Sequence, residues 1–252
     1  MILFVFEGEK REPALFNTME KLFPIKGHHI CCSYGNNIYS LYRKLKEDPD
    51  EELISVLHNS AKEKDSSFWE HRREIDEIYL FFDYDKHDQS ASDSQLQEML
   101  EMFDNEMDKG KLYINYPMVE SLFYTKEMPD PHFNEYTITL QNLSSFKELC
   151  GKFNAYKSSE FCTLPQNLES KAEEIQKTSC EKCKKNWEHL QSQNVQKAYW
   201  LCTQQTMLLP KIPKPLSQKD IFQHQIKDYM EIRREISILN AFPIFLFEYF
   251  KA

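Results

Sequence analysis

Residues 74–85 read EIDEIYLFFDYD: a run of apolar and aromatic residues that ends abruptly in two aspartates, Asp83 and Asp85. The run predicts a strand, and the strand fixes the frame for its neighbours. MILFVF (1–6) is a second buried-strand candidate and runs straight into Glu7 and Gly8. HHICCSYG (28–35) is another, ending at Gly35, and KLYINYP (111–117) a fourth. Between them lie helical patterns. EPALFNTMEKLF (12–23) has apolar residues at helical spacing, and NNIYSLYRKLKED (36–48) opens on an asparagine cap. DSQLQEMLEMFDNEMDKG (93–110) reads as an amphipathic helix closed by Gly110 at a C-cap position. Strand alternating with helix predicts an α/β fold, a parallel sheet with helices on its faces.

The second half changes character. LESKAEEIQKTSCEKCKKNWEHLQSQNVQKAYWL (168–201) is long, polar and helical, and LLPKIPKPLSQKD (208–220), with three prolines, reads as a loop or linker. DIFQHQIKDYMEIRREISILNAFPIFLFEYF (220–250) then closes the chain as a helix with an apolar end. This half is expected to be all-helical, giving domains at 1–128 and 129–252. The apolar end, ILNAFPIFLFEYF (238–250), is too short to span a bilayer, which takes about 20 residues, so it packs on the sheet or on a second protein such as another copy of the chain.

Composition narrows the function classes. At 252 residues the chain can bury a sizeable core, and 28% charged with 41% hydrophobic residues is an ordinary globular balance. No basic region or cleavage site surrounds the N-terminal apolar run, so it reads as a strand rather than a signal peptide, with a cytoplasmic location expected. Seven cysteines, an odd number including adjacent Cys31 and Cys32, fit reduced thiols better than a disulfide framework. A net charge of -9 argues against a generally basic nucleic-acid-binding surface. Nucleic acid would need a local basic groove, a metal ion or a basic partner.

Open parallel sheets bind ligands at the carboxyl ends of their strands. Glu7 ends the first strand there, and Asp83 and Asp85, two residues apart, leave one face of the third. Like charges so placed repel unless a cation lies between them, and a hard divalent ion such as Mg²⁺, or Mn²⁺, is held by a few carboxylates of this kind. In INYPMVESLF (114–123), Glu120 falls near the same sheet edge, where it either completes a metal cluster or favours a helix N-terminus. Lys10 and Arg11 read either as phosphate contacts at a helix start or as solvated charges. Cys180 and Cys183 form a C-x-x-C; zinc would require His189 and Cys162 or Cys202 as well, and plain side chains are the simpler reading.

A strand ending in Glu-Gly, a second ending in Gly and a third ending in D-x-D together resemble the Toprim domain, the metal-dependent fold of topoisomerases, primases and certain nucleases. EGEKREPALF (7–16) is similar to the EGE-x-x-E-P-x-x-F opening of the Toprim-like phage-defence proteins called RloB and AbiL, and AriB-type abortive-infection effectors are similar in outline. The resemblance covers residues 1 to about 125. It implies Glu7 as general acid/base or metal ligand and Asp83 and Asp85 as Mg²⁺ ligands, with Glu9, Glu12, His87 and Asp88 flanking. Toprim sequences continue D-x-D-x-x-G, whereas this chain reads DYDKHD (83–88) without the glycine, and His87 there contacts phosphate or caps the loop. The resemblance further implies a metal-dependent nuclease acting on RNA, transfer RNA included, or DNA as a toxic effector of antiphage defence beside an ATPase sensor. The alternative is a catalytically inactive Toprim-like regulatory subunit of such an ATPase complex.

Overall fold

A computed structural model of the chain describes residues 1–48, 51–60, 66–84, 86, 92–153, 161–165, 167–209, 211–213 and 215–250, with the side chains of 66 and 67 left aside. In chain order the first half contains β1 (Ile2–Phe6), α1 (Arg11–Leu22), β2 (His29–Ser33), α2 (Ile38–Glu47), α3 (Leu53–Ser60), α4 (Ser66–Glu70), β3 (Glu77–Asp83), α5 (Asp93–Met102), β4 (Asp104–Asn105) and β5 (Gly110–Asn115). These include the four strands that its sequence pattern predicts, with α3, α4 and β4 in addition to the expected helices. The five strands form one sheet in the order β2-β1-β3-β5-β4. β1, β2, β3 and β5 run parallel, and β4 is antiparallel to β5. The four long strands therefore end on one edge.

Local chemistry accounts for these elements. β1 is buried at every position, as a strand covered on both faces must be. α1 accepts Pro13 in its first turn, where the missing N–H is no loss, and turns Leu15, Phe16, Met19 and Leu22 inward. α2 starts at the expected cap, the side chain of Asn37 accepting from Ser40 N at 2.9 Å.

The stretch 93–110 departs from the single helix expected of it. α5 stops at Met102, and β4 folds back along β5 with Asn105 opposite Gly110. Backbone pairing outweighs helical propensity here: Leu112 N donates to Phe103 O at 2.9 Å and Ile78 N to Glu106 O at 2.9 Å. Gly110 is accordingly no helix cap. It opens β5 at φ +117°, a backbone conformation that favours glycine.

The second half contains β6 (Thr137–Thr139), α6 (Phe146–Cys150), α7 (Glu173–Thr203), α8 (Gln218–His224), β7 (Glu235–Ser237) and α9 (Ala241–Tyr249), with a π-helical continuation of α8 through Glu231. It is not all-helical, because β6 and β7 pair antiparallel. The expected closing helix is broken at Arg234, whose φ is +57°, and the side chain of Gln225 then clasps Ser237. Gln225 Nε2 donates to Ser237 O at 2.7 Å and Ser237 N donates to Gln225 Oε1 at 2.9 Å, both bonds buried. The apolar end packs on the sheet: Ala241 to Phe247 are buried throughout. Phe245 meets Phe4, Tyr79 and Phe81 at ring distances of 5.7, 5.1 and 5.4 Å, and Phe242 stacks on Phe81 at 4.7 Å. Among the described residues no helix is long and apolar enough to cross a membrane.

Gly110 offers a test of this arrangement. A Cβ there would stand 2.9 Å from Leu80 Cδ1 and 3.3 Å from Ile78 Cβ, on a backbone conformation that L residues avoid. Gly110→Ala is expected to lower stability by about 1–3 kcal/mol, read as a lower urea midpoint at unchanged slope. An unchanged midpoint would contradict the β4–β5 turn.

Candidate functional site

The carboxyl edge of the sheet gathers acidic side chains from four separate elements. Glu7 follows β1 directly, and its backbone is locked between neighbouring strands: Glu7 N donates to Phe81 O at 3.1 Å, and Glu7 O accepts from Gly35 N at 2.9 Å. Its side chain reaches across to β3, where Oε2 accepts from Asp83 N at 2.9 Å. Asp83 closes β3 in register with Asn115 of β5, and its Oδ1 accepts from Asn115 Nδ2 at 2.9 Å. Glu12, in the first turn of α1, folds back to accept from Gly8 N at 3.1 Å. A Cβ at Gly8 would lie 2.6 Å from Glu12 Oε2, so a larger residue there would displace the Glu12 carboxylate.

The fourth carboxylate is Glu120, in a 3₁₀ turn over Val119–Phe123. Its Oε1 lies 3.5 Å from Arg11 Nε and 3.1 Å from Lys147 Nζ. Glu7, Arg11, Glu12, Asp83, Glu120 and Lys147 line one pocket of about 290 Å³. An adjoining open cleft of about 580 Å³ shares Glu7, Arg11 and Glu12 and continues along Lys10 and the 35–37 segment.

Electrostatics in the pocket favour added positive charge. Burial pushes the Asp83 carboxyl well above the usual aspartate range, the charges of Glu7 and Glu12 push it further, and the Asn115 hydrogen bond opposes them. Glu12 is raised as well, chiefly by burial and secondarily by Glu120, against the lowering effect of backbone hydrogen bonds that include the Gly8 N–H. Four carboxylates thus face two cationic side chains.

Of the residues that the sequence analysis singles out, Glu7, Asp83, Glu120 and Arg11 meet in this pocket, with Glu12 beside them. Lys10 is exposed at the mouth and lines only the outer cleft. Asp85, His87 and Asp88 lie outside the described residues. Two further residues have no local signature: Asn115, which bonds Asp83, and Lys147, which lines the pocket. Asn115 is an ordinary strand residue until register sets it beside Asp83, and Lys147 is one of many lysines in the second half. Cys180 and Cys183 sit on α7, Cys183 buried and Cys180 partly so, and none of the seven cysteines is in a disulfide. Among the described residues no three His, Cys, Asp or Glu side chains are grouped closely enough to hold a metal ion.

Compared with known protein families, curated proteins and solved structures, the chain matches none.

The raised Asp83 carboxyl has a thermodynamic consequence. A group that binds its proton more tightly when folded adds stability below its unfolded pKa, near 3.9 for aspartate, and loses that stability as pH rises through the folded value. Asp83→Asn removes this loss. In metal-free buffer at neutral pH it is expected to raise Tm by about 2–4 °C, which is about 1 kcal/mol for a chain of this size, with the gain fading toward pH 4. A variant less stable than the parent at neutral pH would show that the carboxylate is not under charge repulsion.

Proposed function

We propose that the chain is a Toprim-like phosphodiesterase that uses Mg²⁺ or Mn²⁺ to cleave nucleic acid, acting as a toxic effector in antiphage defence. The observation that carries the reading is that Glu7 and Asp83 line one pocket at the carboxyl ends of adjacent parallel strands, the Asp83 backbone N–H donating to the Glu7 carboxylate. The donor set fits a hard divalent ion: the groups are carboxylate oxygens, and their mutual repulsion is the charge imbalance that such an ion relieves. Glu7 and Asp83 would hold it, with Asp85 as the next ligand along the chain. When bound, the ion would polarise a phosphoryl oxygen and lower the pKa of an attacking water.

The chain's own residues perform the remaining tasks. Asn115 holds the Asp83 carboxyl in one orientation through Nδ2. The backbone of Glu7, bonded on both sides, keeps its carboxylate over the end of β3. Arg11 presents a guanidinium to the pocket, where a phosphate oxygen approaches from the open cleft. The acidic surface, net -9, opposes free association with nucleic acid and fits an enzyme delivered to its substrate by an ATPase partner. A second reading, a non-hydrolysing regulatory subunit of such a complex, is favoured by DYDKHD (83–88), which lacks the glycine of the Toprim D-x-D-x-x-G pattern.

The two readings diverge in one assay. Purified chain is incubated with RNA and with DNA in Mg²⁺, Mn²⁺ or EDTA, alongside Glu7→Ala and Asp83→Ala proteins checked for folding. Metal-dependent cleavage that falls by about a hundredfold or more in both variants is expected. Absence of cleavage supports the regulatory reading instead, and cleavage indifferent to both substitutions overturns the roles assigned to Glu7 and Asp83.

A further inference from the structure

Three elements distant in sequence meet at Glu120. Its side chain is 5% exposed, whereas those of Arg11 and Lys147 retain 34% and 64% exposure. Arg11 is the first residue of α1, Lys147 belongs to α6, and both approach the same oxygen, Oε1. The Arg11 guanidinium also lies 5.2 Å from the centre of the Phe123 ring, which restrains the direction in which it points. Two donors on different elements converging on one oxyanion, in the wall of the pocket that holds Glu7 and Asp83, have the arrangement of an anion seat.

An exposed lysine gains little from a surface ion pair, because water competes for both partners. Here the partner is buried, and its charge would stand uncompensated among Glu7, Glu12 and Asp83 without the two cations. Glu120 therefore keeps Arg11 and Lys147 at the pocket wall. An incoming phosphate brings a charge of the same sign and several acceptor oxygens, so it suits the same two donors.

We infer that Arg11 and Lys147 form the seat for a substrate phosphodiester beside Glu7 and Asp83, and that the Glu120 carboxylate fills this seat until a nucleic-acid strand displaces it. The assignment of a nucleic-acid strand rests on the nuclease reading above. It gives the second half of the chain a direct part in the site, through Lys147. It also makes Glu120 an internal competitor of the substrate.

Binding separates this inference from cleavage. The full chain is titrated in EDTA against short fluorescein-labelled single strands, in RNA and in DNA form, and anisotropy gives the affinity. Glu120→Gln is expected to tighten binding about tenfold, the worth of one charge-assisted hydrogen bond. Lys147→Ala, checked for folding because it removes one of the two cations beside buried Glu120, is expected to weaken binding by a similar factor and to cancel the gain when combined with Glu120→Gln. Inorganic phosphate should compete only weakly. Equal competition would make the seat one for free phosphate and overturn the strand assignment. Affinity unmoved in the Lys147→Ala protein would overturn the seat itself, even where cleavage depends on metal and Glu7. If affinities shift as expected while no protein cleaves in Mg²⁺ or Mn²⁺, the seat stands and the nuclease reading falls.

Discussion

Asn115 Nδ2 donates to Asp83 Oδ1 and Asn115 Oδ1 accepts from Ala241 N, each at 2.9 Å, in a side chain only 1% exposed. This one carboxamide joins the end of β3 to the start of α9. A second asparagine extends the linkage: Asn240 Nδ2 donates to Val119 O and Ser121 Oγ, and Asn240 N donates to Asn194 Oδ1 on α7. Leaving any of these buried groups without a partner would cost about 1–3 kcal/mol, so the network specifies a single arrangement of the sheet edge. The turn that carries Glu120 is held by it, and with that turn the whole acidic pocket.

The aromatic packing beneath the network serves the same end. Phe4, Tyr79 and Phe81 from β1 and β3 receive Phe245 of α9, and Phe242 lies against Phe6 and Phe81. This burial is non-directional and strong, while the asparagine bonds supply direction. Between them they hold carboxylates in a crowd that is unfavourable on its own terms, since burial and like charge both raise the Asp83 carboxyl. Features that oppose local stability yet are firmly positioned are those to examine for function.

The sequence was legible where short-range rules govern. Apolar runs bounded by glycine or acid became strands, Asn37 became the cap of α2, and Glu7, Asp83 and Glu120 could be placed because parallel strands share an edge. It was misleading at 103–110, where a helical pattern of apolar residues continues into a segment whose backbone pairs with β5 and with Ile78. It was silent about β6 and β7, each three residues long and brought together from opposite ends of the second half. Strands so short carry too few residues for alternation to register.

By itself, then, the amino-acid order determined the four long strands and the helices α1 and α2 of the first half, the edge at which its acids collect, and an apolar tail that had to be buried. Each follows from periodicity, capping or hydrophobicity within a few consecutive residues. Tertiary structure alone decided that Asn115 meets both Asp83 and Ala241, that Lys147 reaches Glu120 beside Arg11, and that the tail lies on β1, β3 and β5. Those contacts join residues far apart in the chain. Register, crossover and packing choose such partners, and no local pattern encodes them.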